Sequence, residues 1–384
     1  MSSAIPLAWL LLVKLRGRLF TAVAGVAFAV ILALVQLAFE DALFTSITLL
    51  YSHFNADLVL ISPQYQSIEA RETFSERRLY QALAADGVES VVPLYMDTVQ
   101  WTNPVNHIER FIFLVGFKPR PGVFDVKAVN ANLVQMAVPG NVLFDEGSRT
   151  EFGPISRLFR DHGSVVTEVS HRRIDVVGLF RVGASFANSG QIMTSDMTFL
   201  QLVPARKAGM IDVGLIKLRH GVRSEAVRTE LSAMLPADVA ILTKQGLLDR
   251  EKNFWNHSLP LGFIFQASLV MGLIVGAVIV YQILYSGLSE HLSEFATLKA
   301  IGYSDHSLFW VVLQEAFLLS VIGFVPGVLL TFGVYHIVQT ATVLPVRMTL
   351  LRLVGVYILT AIMCMLSGAL AVRRLRSADP AEIF

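Results

Sequence analysis

The sequence predicts an α-helical polytopic membrane protein with four transmembrane helices and a large extracytoplasmic mixed α/β domain between helices 1 and 2. Its 384 residues are 54% hydrophobic and 16% charged, too apolar for an ordinary soluble protein and too charged for a chain wholly within the bilayer. Four apolar runs have the length of a membrane span, and a long stretch with strand-like composition separates the first two.

The apolar runs predict transmembrane helices at 19–39, 259–285, 307–335 and 353–372. Each supplies about twenty residues of low charge, the length needed to cross the hydrocarbon core. Residues 1–18 mix apolar anchors with basic residues, which is typical of an interfacial helix. A cleaved signal peptide is the alternative at this end, but the apolar run is longer than a signal core and its Ala-x-Ala lies in the middle.

The stretch 57–243 predicts the α/β domain. Segments rich in β-branched and aromatic residues predict strands, at 57–62, 90–101, 110–117, 141–145, 173–180 and 213–218. Helical spacing and end signals predict helices at 75–85 and 224–235, with Ser224 as the N-cap of the second. The flanking segments 40–56 and 244–258 keep helical spacing, and they predict stalk helices continuous with the first and second transmembrane helices.

Basic residues at both ends predict the orientation. Three precede the first span, and three arginines begin the tail 373–384. Because cytoplasmic loops are enriched in Lys and Arg, an even number of crossings places both termini on the cytoplasmic side of the membrane. The α/β domain and the loop 336–352 then lie outside, and 286–306 faces the cytoplasm. Arg347 and Arg352 run against this rule, but they are fewer than the basic residues at the termini.

Glycines at four-residue spacing predict close packing between membrane helices. Gly272 and Gly276 lie in the second span, and Gly323 and Gly327 lie in the third. Pro326 between the latter pair predicts a kink. The alternative is chance, because such spacing is common in glycine-rich apolar segments.

No motif predicts an enzyme. The sequence has no Gly-x-x-x-x-Gly-Lys-Ser/Thr phosphate loop, no His-Glu-x-x-His or paired Cys-x-x-Cys metal motif, and no Gly-x-Ser-x-Gly nucleophile elbow. The formal net charge of +1 gives no support for a nucleic-acid partner. We therefore expect no catalytic residue, no metal and no cofactor bound by this chain.

The charged segment 286–305, SGLSEHLSEFATLKAIGYSD, separates the second and third apolar runs. Leu288, Leu292 and Phe295 fall at i, i+4 and i+7, as on one face of an amphipathic helix, and Gly302 suits its C′ position. Such a helix can lie on a membrane surface or in a groove of another protein. Its two acidic residues and one lysine are the wrong balance for an anionic membrane, so a protein groove is favoured.

The same segment carries a resemblance to a known family. HLSEFATLKAIGYSDHSL, the four-span layout with one large domain after the first span, and the ending SADPAEIF resemble the FtsX/MacB-type (type VII) permeases of ABC transporters. Within that family, AIPLAWLLL, FSERRLYQALAADGVESVVPLY and VLFDEGSRTEFGPI are most similar to the DevC branch of glycolipid-exporter permeases.

The resemblance implies a homodimer whose cytoplasmic loop is a coupling helix for a separate ABC ATPase subunit, which would bind ATP and Mg. Carried over by position, the coupling residues are Glu290, Glu294, Phe295, Ala296, Thr297, Leu298, Lys299 and Gly302, with Asp379-Pro380-Ala381 in support.

The family's mechanism is mechanotransmission, in which ATP-driven movement reaches the external domain and the substrate does not pass through the four spans. The resemblance therefore implies a membrane-fusion adaptor, an outer-membrane channel reached through it, and export of a lipid-like substrate, by implication a glycolipid. The alternative within the family is an FtsX-like signal transducer that regulates an extracytoplasmic cell-wall hydrolase and exports nothing.

Overall fold

The computed structural model describes residues 16–257, 260–290, 305–342 and 346–376. The chain divides into two compact units. The membrane unit comprises the described residues up to Ala42, the segment Leu261–Thr342 and the described residues from Val346 onward. The α/β unit is built by Leu43–Pro260.

The helices of the described chain are α1 (Arg16–Ile47), α2 (Leu49–Ser52), α3 (Glu76–Gln81), α4 (Lys127–Ala131), α5 (Leu133–Met136), α6 (Ile155–His162), α7 (Asp196–Leu202), α8 (Ser224–Met234), α9 (Lys244–His257), α10 (Leu261–Glu290), α11 (Asp305–Thr342) and α12 (Leu350–Arg376). The strands are β1 (Leu58–Ile61), β2 (Phe74–Ser75), β3 (Val88–Thr102), β4 (Glu109–Phe117), β5 (Asn141–Asp145), β6 (Val165–Val169), β7 (Arg172–Phe180), β8 (Gln191–Ser195), β9 (Met210–Ile211), β10 (Val213–Leu218) and β11 (Ala240–Thr243).

The four predicted spans are confirmed as four helices long and apolar enough to cross a membrane: Leu19–Ile47, Leu261–Glu290, Phe309–Thr340 and Leu350–Arg374. They share an apolar core to which all four contribute fully buried side chains, including Val26, Val280, Leu319, Val356 and Cys364. Apolar faces that meet one another, in addition to apolar faces toward lipid, explain why these segments are hydrophobic all round.

The third and fourth spans are longer than the hydropathy pattern predicts. α11 passes through Pro326 and ends at Thr342 instead of 335, and α12 begins at Leu350 instead of 353. Polar residues end an apolar run without ending a helix. The Thr340 hydroxyl, for example, donates to the His336 carbonyl oxygen one turn earlier, so its hydrogen bond is made inside α11.

A nine-stranded mixed sheet organises the α/β unit, in the order β11-β1-β10-β3-β4-β8-β5-β7-β6. The last strand also pairs with β3, where Trp101 opposes Val169, so six strands from β3 to β6 form a closed ring. The closure is fixed by Trp101, which is fully buried and donates its indole N–H to the Phe152 carbonyl oxygen at 3.1 Å. The closing pair spans two residues on each strand, and β11 remains an edge strand of the sheet.

Two cores lie on opposite faces of this sheet. Alternate residues of β4 separate between them: Ile112 and Leu114 face one core, whereas Phe113, Val115 and Phe117 face the other. This is the period of two that a strand imposes. Because both faces are covered from Ile112 onward, β4 is apolar without alternation between Ile112 and Phe117, within the strand predicted at 110–117.

The unit contains more elements than the sequence predicts. All six predicted strands and both predicted helices have counterparts, and β2, β6, β8, β9, β11 and α4–α7 are additional. The prediction that Ser224 caps a helix is wrong by one residue. Arg223 has the extended conformation of an N-cap, with φ −79° and ψ 115°, so Ser224 is already the first helical residue, and the Arg223 side chain makes no cap bond.

The predicted stalks are partly different from expectation. α1 continues from the first span to Ile47, but the helix is interrupted at Thr48 before α2, and Phe54 already forms a β-bridge with Phe124. The second stalk corresponds to α9, which ends at His257. Its join to α10 at 258–259 lies outside the described residues.

Candidate functional site: the stalk junction and the flanks of the coupling segment

Of the predicted coupling residues, the described chain contains Glu290, the last residue of α10. Its carboxylate lies 3.4 Å from the Ser286 hydroxyl, one turn earlier in the helix. The residues outside the described chain are Glu294, Phe295, Ala296, Thr297, Leu298, Lys299 and Gly302, together with the supporting tail at 379–381. The coupling role of this set stays a prediction.

The two flanks of the coupling segment are held together by apolar packing. Leu288 near the end of α10, Val312 in α11 and Val372 in α12 form one buried cluster, with Phe309 packed against it. At the start of α11 the Trp310 indole N–H donates to His306 at 3.0 Å. Helices on both sides of the segment are therefore fixed to each other and to α12, so a movement of one flank is resisted by the other two helices.

The predicted packing glycines lie against α1. A Cβ atom on Gly323 would lie 2.6 Å from the Val26 Cβ, and one on Gly327 would lie 2.9 Å from the Val30 Cβ. On α10, a Cβ on Gly276 would lie 2.7 Å from the Ala29 Cβ. Real Cβ atoms do not approach so closely, so these positions require glycine for the helices to keep their spacing. Gly272 is less constrained, since a Cβ there would make an ordinary 3.5 Å contact with Leu32.

One interhelical ion pair in the membrane unit accounts for a basic residue that opposes the orientation rule. Arg352, at the start of α12, donates to Asp41 of α1 at 2.9 Å, and it also donates to the Arg347 carbonyl oxygen. The Arg352 side chain is only 9% exposed, whereas Asp41 is 61% exposed. The arginine is thus neutralised locally, and its position reflects helix pairing more than topology.

The α/β unit contains a buried hydrogen-bonded cluster, which we call the stalk junction: Tyr51, Tyr65, Ile68, Glu251 and Trp255. Glu251 Oε2 accepts from the Tyr51 hydroxyl and the Ile68 backbone N–H, both at 2.9 Å. Oε1 accepts from the Trp255 indole at 2.9 Å. The Tyr51 and Tyr65 hydroxyls are 2.6 Å apart. The junction joins the helix that follows the first span, the loop after β1, and α9.

Burial of Glu251 raises the pKa of its carboxyl group. Its side chain is almost completely buried, and loss of solvation raises the pKa of the carboxyl from 4.5 to about 7, although the hydrogen bonds from Trp255, Tyr51 and Ile68 act in the opposite direction. Burial also raises the pKa of the Tyr51 and Tyr65 hydroxyls, so both remain protonated donors near neutral pH. The single carboxyl is therefore the group of this cluster that titrates near neutral pH.

The loop 181–190 completes the surroundings of the junction. The Phe186 backbone N–H donates to the Ser46 hydroxyl of α1 at 3.1 Å, and its ring meets Trp255 edge-on with centroids 5.8 Å apart. Asp145, fully buried at the end of β5, accepts from the backbone N–H groups of Val182 and Gly183. The loop is thus anchored to the sheet and touches the ends of both stalks.

The sequence pattern did not single out this cluster, although α9 carries one signal of it. Leu247, Glu251 and Trp255 recur every four residues and all three are buried, so one acidic residue lies on the apolar face of an amphipathic helix. The partners Tyr51 and Tyr65 are far away along the chain and have no motif. Within the described ranges, no group of three or more His, Cys, Asp or Glu side chains could hold a metal ion.

The comparisons with known proteins give one family match, which lies in the membrane unit. The sequence model of the FtsX-like permease C-terminal family matches residues 267–380. A comparison with curated proteins finds no match. The periplasmic region of MacB from Actinobacillus actinomycetemcomitans is similar in structure at 13% identity and TM-score 0.36, covering 52% of this chain and 94% of that chain. The extracellular domain of the ABC-type transporter YknZ from Gram-positive bacteria is similar at 11% identity and TM-score 0.34, covering 49% and 98%.

Four helices long and apolar enough to cross a membrane, with one large α/β unit inserted after the first, are the architecture of a polytopic membrane protein. The family match covers most of the second span and the whole of the third and fourth, together with the segment between the second and third. Residues 267–380 of this chain are similar to the C-terminal domain of FtsX-like permeases. The resemblance to this family is confirmed; membership of the DevC branch stays a prediction.

Proposed function

We propose that this chain is the permease subunit of a tripartite ABC exporter and transmits ATP-driven movement of a separate ATPase subunit to its α/β domain. The family match over 267–380 carries the proposal, because it includes the predicted coupling segment. The packed flanks of that segment support it: a force applied between α10 and α11 reaches α12 through Leu288, Val312 and Val372. ATP and Mg would bind to the ATPase, and a homodimer of permeases would receive the force.

The α/β domain is proposed to lie on the extracytoplasmic side of the inner membrane, where it would work with a membrane-fusion adaptor leading to an outer-membrane channel. α1 supports a mechanical role, because one unbroken helix supplies residues both to the membrane unit and to the α/β unit. The exported substrate is proposed to be lipid-like, with a glycolipid as the member of that class that the DevC resemblance favours.

The coupling step is tested by Glu294→Arg combined with Phe295→Ala. We expect the variant to be inserted in the membrane but to lose ATPase co-purification and substrate-stimulated ATP turnover. A control of the same kind is Glu168→Arg with Val166→Ala, a charge reversal and an apolar truncation on the exposed face of β6. Unchanged co-purification and turnover in the first variant would contradict the proposal.

The orientation is tested by single cysteines. Ser224→Cys in the α/β unit should react with an impermeant thiol reagent in intact spheroplasts, and Ser289→Cys should not. The native Cys364 is buried, so it adds little background. The opposite labelling pattern would reverse the proposed topology.

The substrate class is tested by comparing the lipids and secreted metabolites of a deletion strain with those of its parent. Loss of an exported lipid supports the exporter. An unchanged lipid profile accompanied by altered cell-wall hydrolysis would instead support the signal transducer.

A further inference from the structure

A groove runs between the second and fourth membrane helices. It has a volume of about 620 Å³ and is open to one side of the membrane unit. Ile274 and Val278 of α10 and Leu370 of α12 form its apolar walls, each about half exposed. This volume is within the usual range of about 300–1,000 Å³ for sites that hold small molecules.

The floor of the groove is closed by the protein's own contacts. The buried Ser367 hydroxyl lies 2.9 Å from the Met363 carbonyl oxygen of its own helix and 3.0 Å from the Ala277 carbonyl oxygen of α10, so its one hydrogen has acceptors within the protein. A buried hydroxyl that already donates a hydrogen bond within the protein needs no polar ligand atom as its partner. The deep part of the groove therefore suits a hydrocarbon chain.

The end of the groove has the opposite character. Tyr281 lines it on α10, and the exposed Arg373 and Arg374 line it on α12. Both arginines lie at the end of the fourth span, which runs over Leu350–Arg374. From Tyr281 back to Ile274 the groove follows α10 for seven residues, or about 10 Å toward the middle of the bilayer.

We propose that this groove binds one anionic phospholipid of the surrounding bilayer, with an acyl chain along Ile274, Val278 and Leu370 and the headgroup phosphate on Arg373 and Arg374. Guanidinium groups at the end of a transmembrane helix match the charge and depth of the phosphate layer, and basic pockets between spans are typical sites for acidic headgroups. The inference holds for either leaflet, so it does not depend on the proposed orientation.

A second copy of the chain is a poorer occupant than a lipid. A two-fold interface presents the same patch from both partners, so it would bring both pairs of arginines together and bury like charges. A phospholipid supplies the complementary charge and also the apolar chain that covers Val278 and Leu370.

The test is native mass spectrometry of the full-length protein in detergent, titrated with phosphatidylglycerol or with zwitterionic phosphatidylcholine of the same chains. We expect a preference for phosphatidylglycerol, which Arg373→Gln with Arg374→Gln should lower about twenty-five-fold, at about fivefold per arginine. Val278→Trp, which fills the groove and leaves both charges, should also weaken binding, whereas Val278→Ala should not.

The charge-matched control is Lys118→Gln with Arg120→Gln, two exposed basic residues of the α/β unit. The site is disproved if this control loses as much phosphatidylglycerol as the groove variant, or if the groove variants bind like the unmodified chain. Equal binding of free glycerophosphate would assign the arginines to soluble phosphate and also overturn the lipid site. So would a disulfide-linked dimer formed by Val278→Cys in membranes, because it would place a second copy there.

Discussion

The hydroxyl group of Tyr51 lies 2.9 Å from the carboxylate of Glu251, a residue 200 positions later in the chain. The contact joins the helix that follows the first membrane span to the helix that precedes the second. Both side chains are buried, and the carboxylate also holds the Ile68 backbone and the Trp255 indole. Within the α/β unit, the segment that follows the first span and the segment that precedes the second thus meet at one hydrogen-bonded group.

The direction of the hydrogen bonds makes Tyr51 more important than Tyr65. An ionised Glu251 can only accept, so Tyr51 donates to it and the Tyr65 hydroxyl then donates to Tyr51. Tyr51→Phe removes a donor from the buried carboxylate and an acceptor from Tyr65, and we expect a loss of about 2 kcal/mol in the free energy of unfolding. Tyr65→Phe removes only one donor, and its expected loss is about 1 kcal/mol or less.

Thermal unfolding of both variants in detergent, above pH 8, checks this order. Ser52→Ala is a control from the same region, since the Ser52 hydroxyl bonds locally to the Leu49 carbonyl oxygen and is exposed. A Tyr65→Phe variant that is less stable than Tyr51→Phe would contradict the assigned direction.

The raised pKa of Glu251 predicts a stability that falls as the pH rises. The folded chain holds the proton more tightly than the unfolded chain, so the favourable contribution is complete below the ordinary value of 4.5 and is lost as the pH rises to about 7. The full change corresponds to about 3 kcal/mol, from about 1.4 kcal/mol for each pH unit between the two values. Above that window the contribution levels off. Protonation is accommodated because the Tyr51–Tyr65 bond can reverse, which lets Tyr51 accept from the neutral carboxyl.

Glu251→Gln tests the pH dependence. It cannot ionise, so we expect the slope of Tm against pH between about 5 and 7 to become much smaller. It should also lower Tm at low pH, because the amide N–H₂ meets either the Trp255 indole N–H or the Ile68 backbone N–H, and neither of these donors can accept. Asp249→Asn, an exposed acid on the same helix, is the control and should keep the slope of the unmodified chain. An equal slope in Glu251→Gln would exclude Glu251 as its source.

The membrane helices were predictable from the sequence because each carries its own signal. A run of twenty apolar residues needs no distant partner to be recognised. The ring of strands has no such signal: β8, with the sequence QIMTS, is buried along its whole length because it lies between β4 and β5. Which strand pairs with which depends on contacts far apart in the sequence, and hydrophobic periodicity does not contain them.

In the candidate site too, some residues have a local sequence signal, whereas their contact partners do not. Glycine spacing pointed to Gly276, Gly323 and Gly327, but the sequence did not reveal that their shared partner is α1. Glu251 looked like one more charge in an amphipathic helix, and its distant tyrosine partners were unknown. Local sequence patterns indicate which residues pack closely against a neighbour, but the neighbour is identified only by the folded structure.

The glycine contacts predict opposite effects for two identical changes in α11. Gly323→Ala would place a Cβ 2.6 Å from the Val26 Cβ, so α1 and α11 must separate, and we expect a cost of about 1–3 kcal/mol. Gly333→Ala meets no heavy atom within 4 Å, and the better helix propensity of alanine should stabilise by up to about 1 kcal/mol. Tm in detergent separates the two, and a Gly323→Ala variant as stable as Gly333→Ala would show that α11 does not pack on α1 in this way.

The pair Asp41–Arg352 predicts a measurable but small coupling between the first and fourth spans. Asp41 is well exposed, so solvent screens the attraction, and a double-mutant cycle with Asp41→Asn and Arg352→Gln should give about 0.5–1 kcal/mol. Arg352→Gln alone should cost more than Asp41→Asn alone, because Arg352 also donates to the Arg347 carbonyl oxygen.

The matched cycle replaces Arg352→Gln with Arg347→Gln, whose side chain is exposed, and should give a coupling near zero. Raising the salt concentration should shrink the first coupling and leave the second unchanged. Equal couplings in the two cycles would mean that Asp41 senses the positive charge of the loop in general, and that the ion pair does not join α1 to α12.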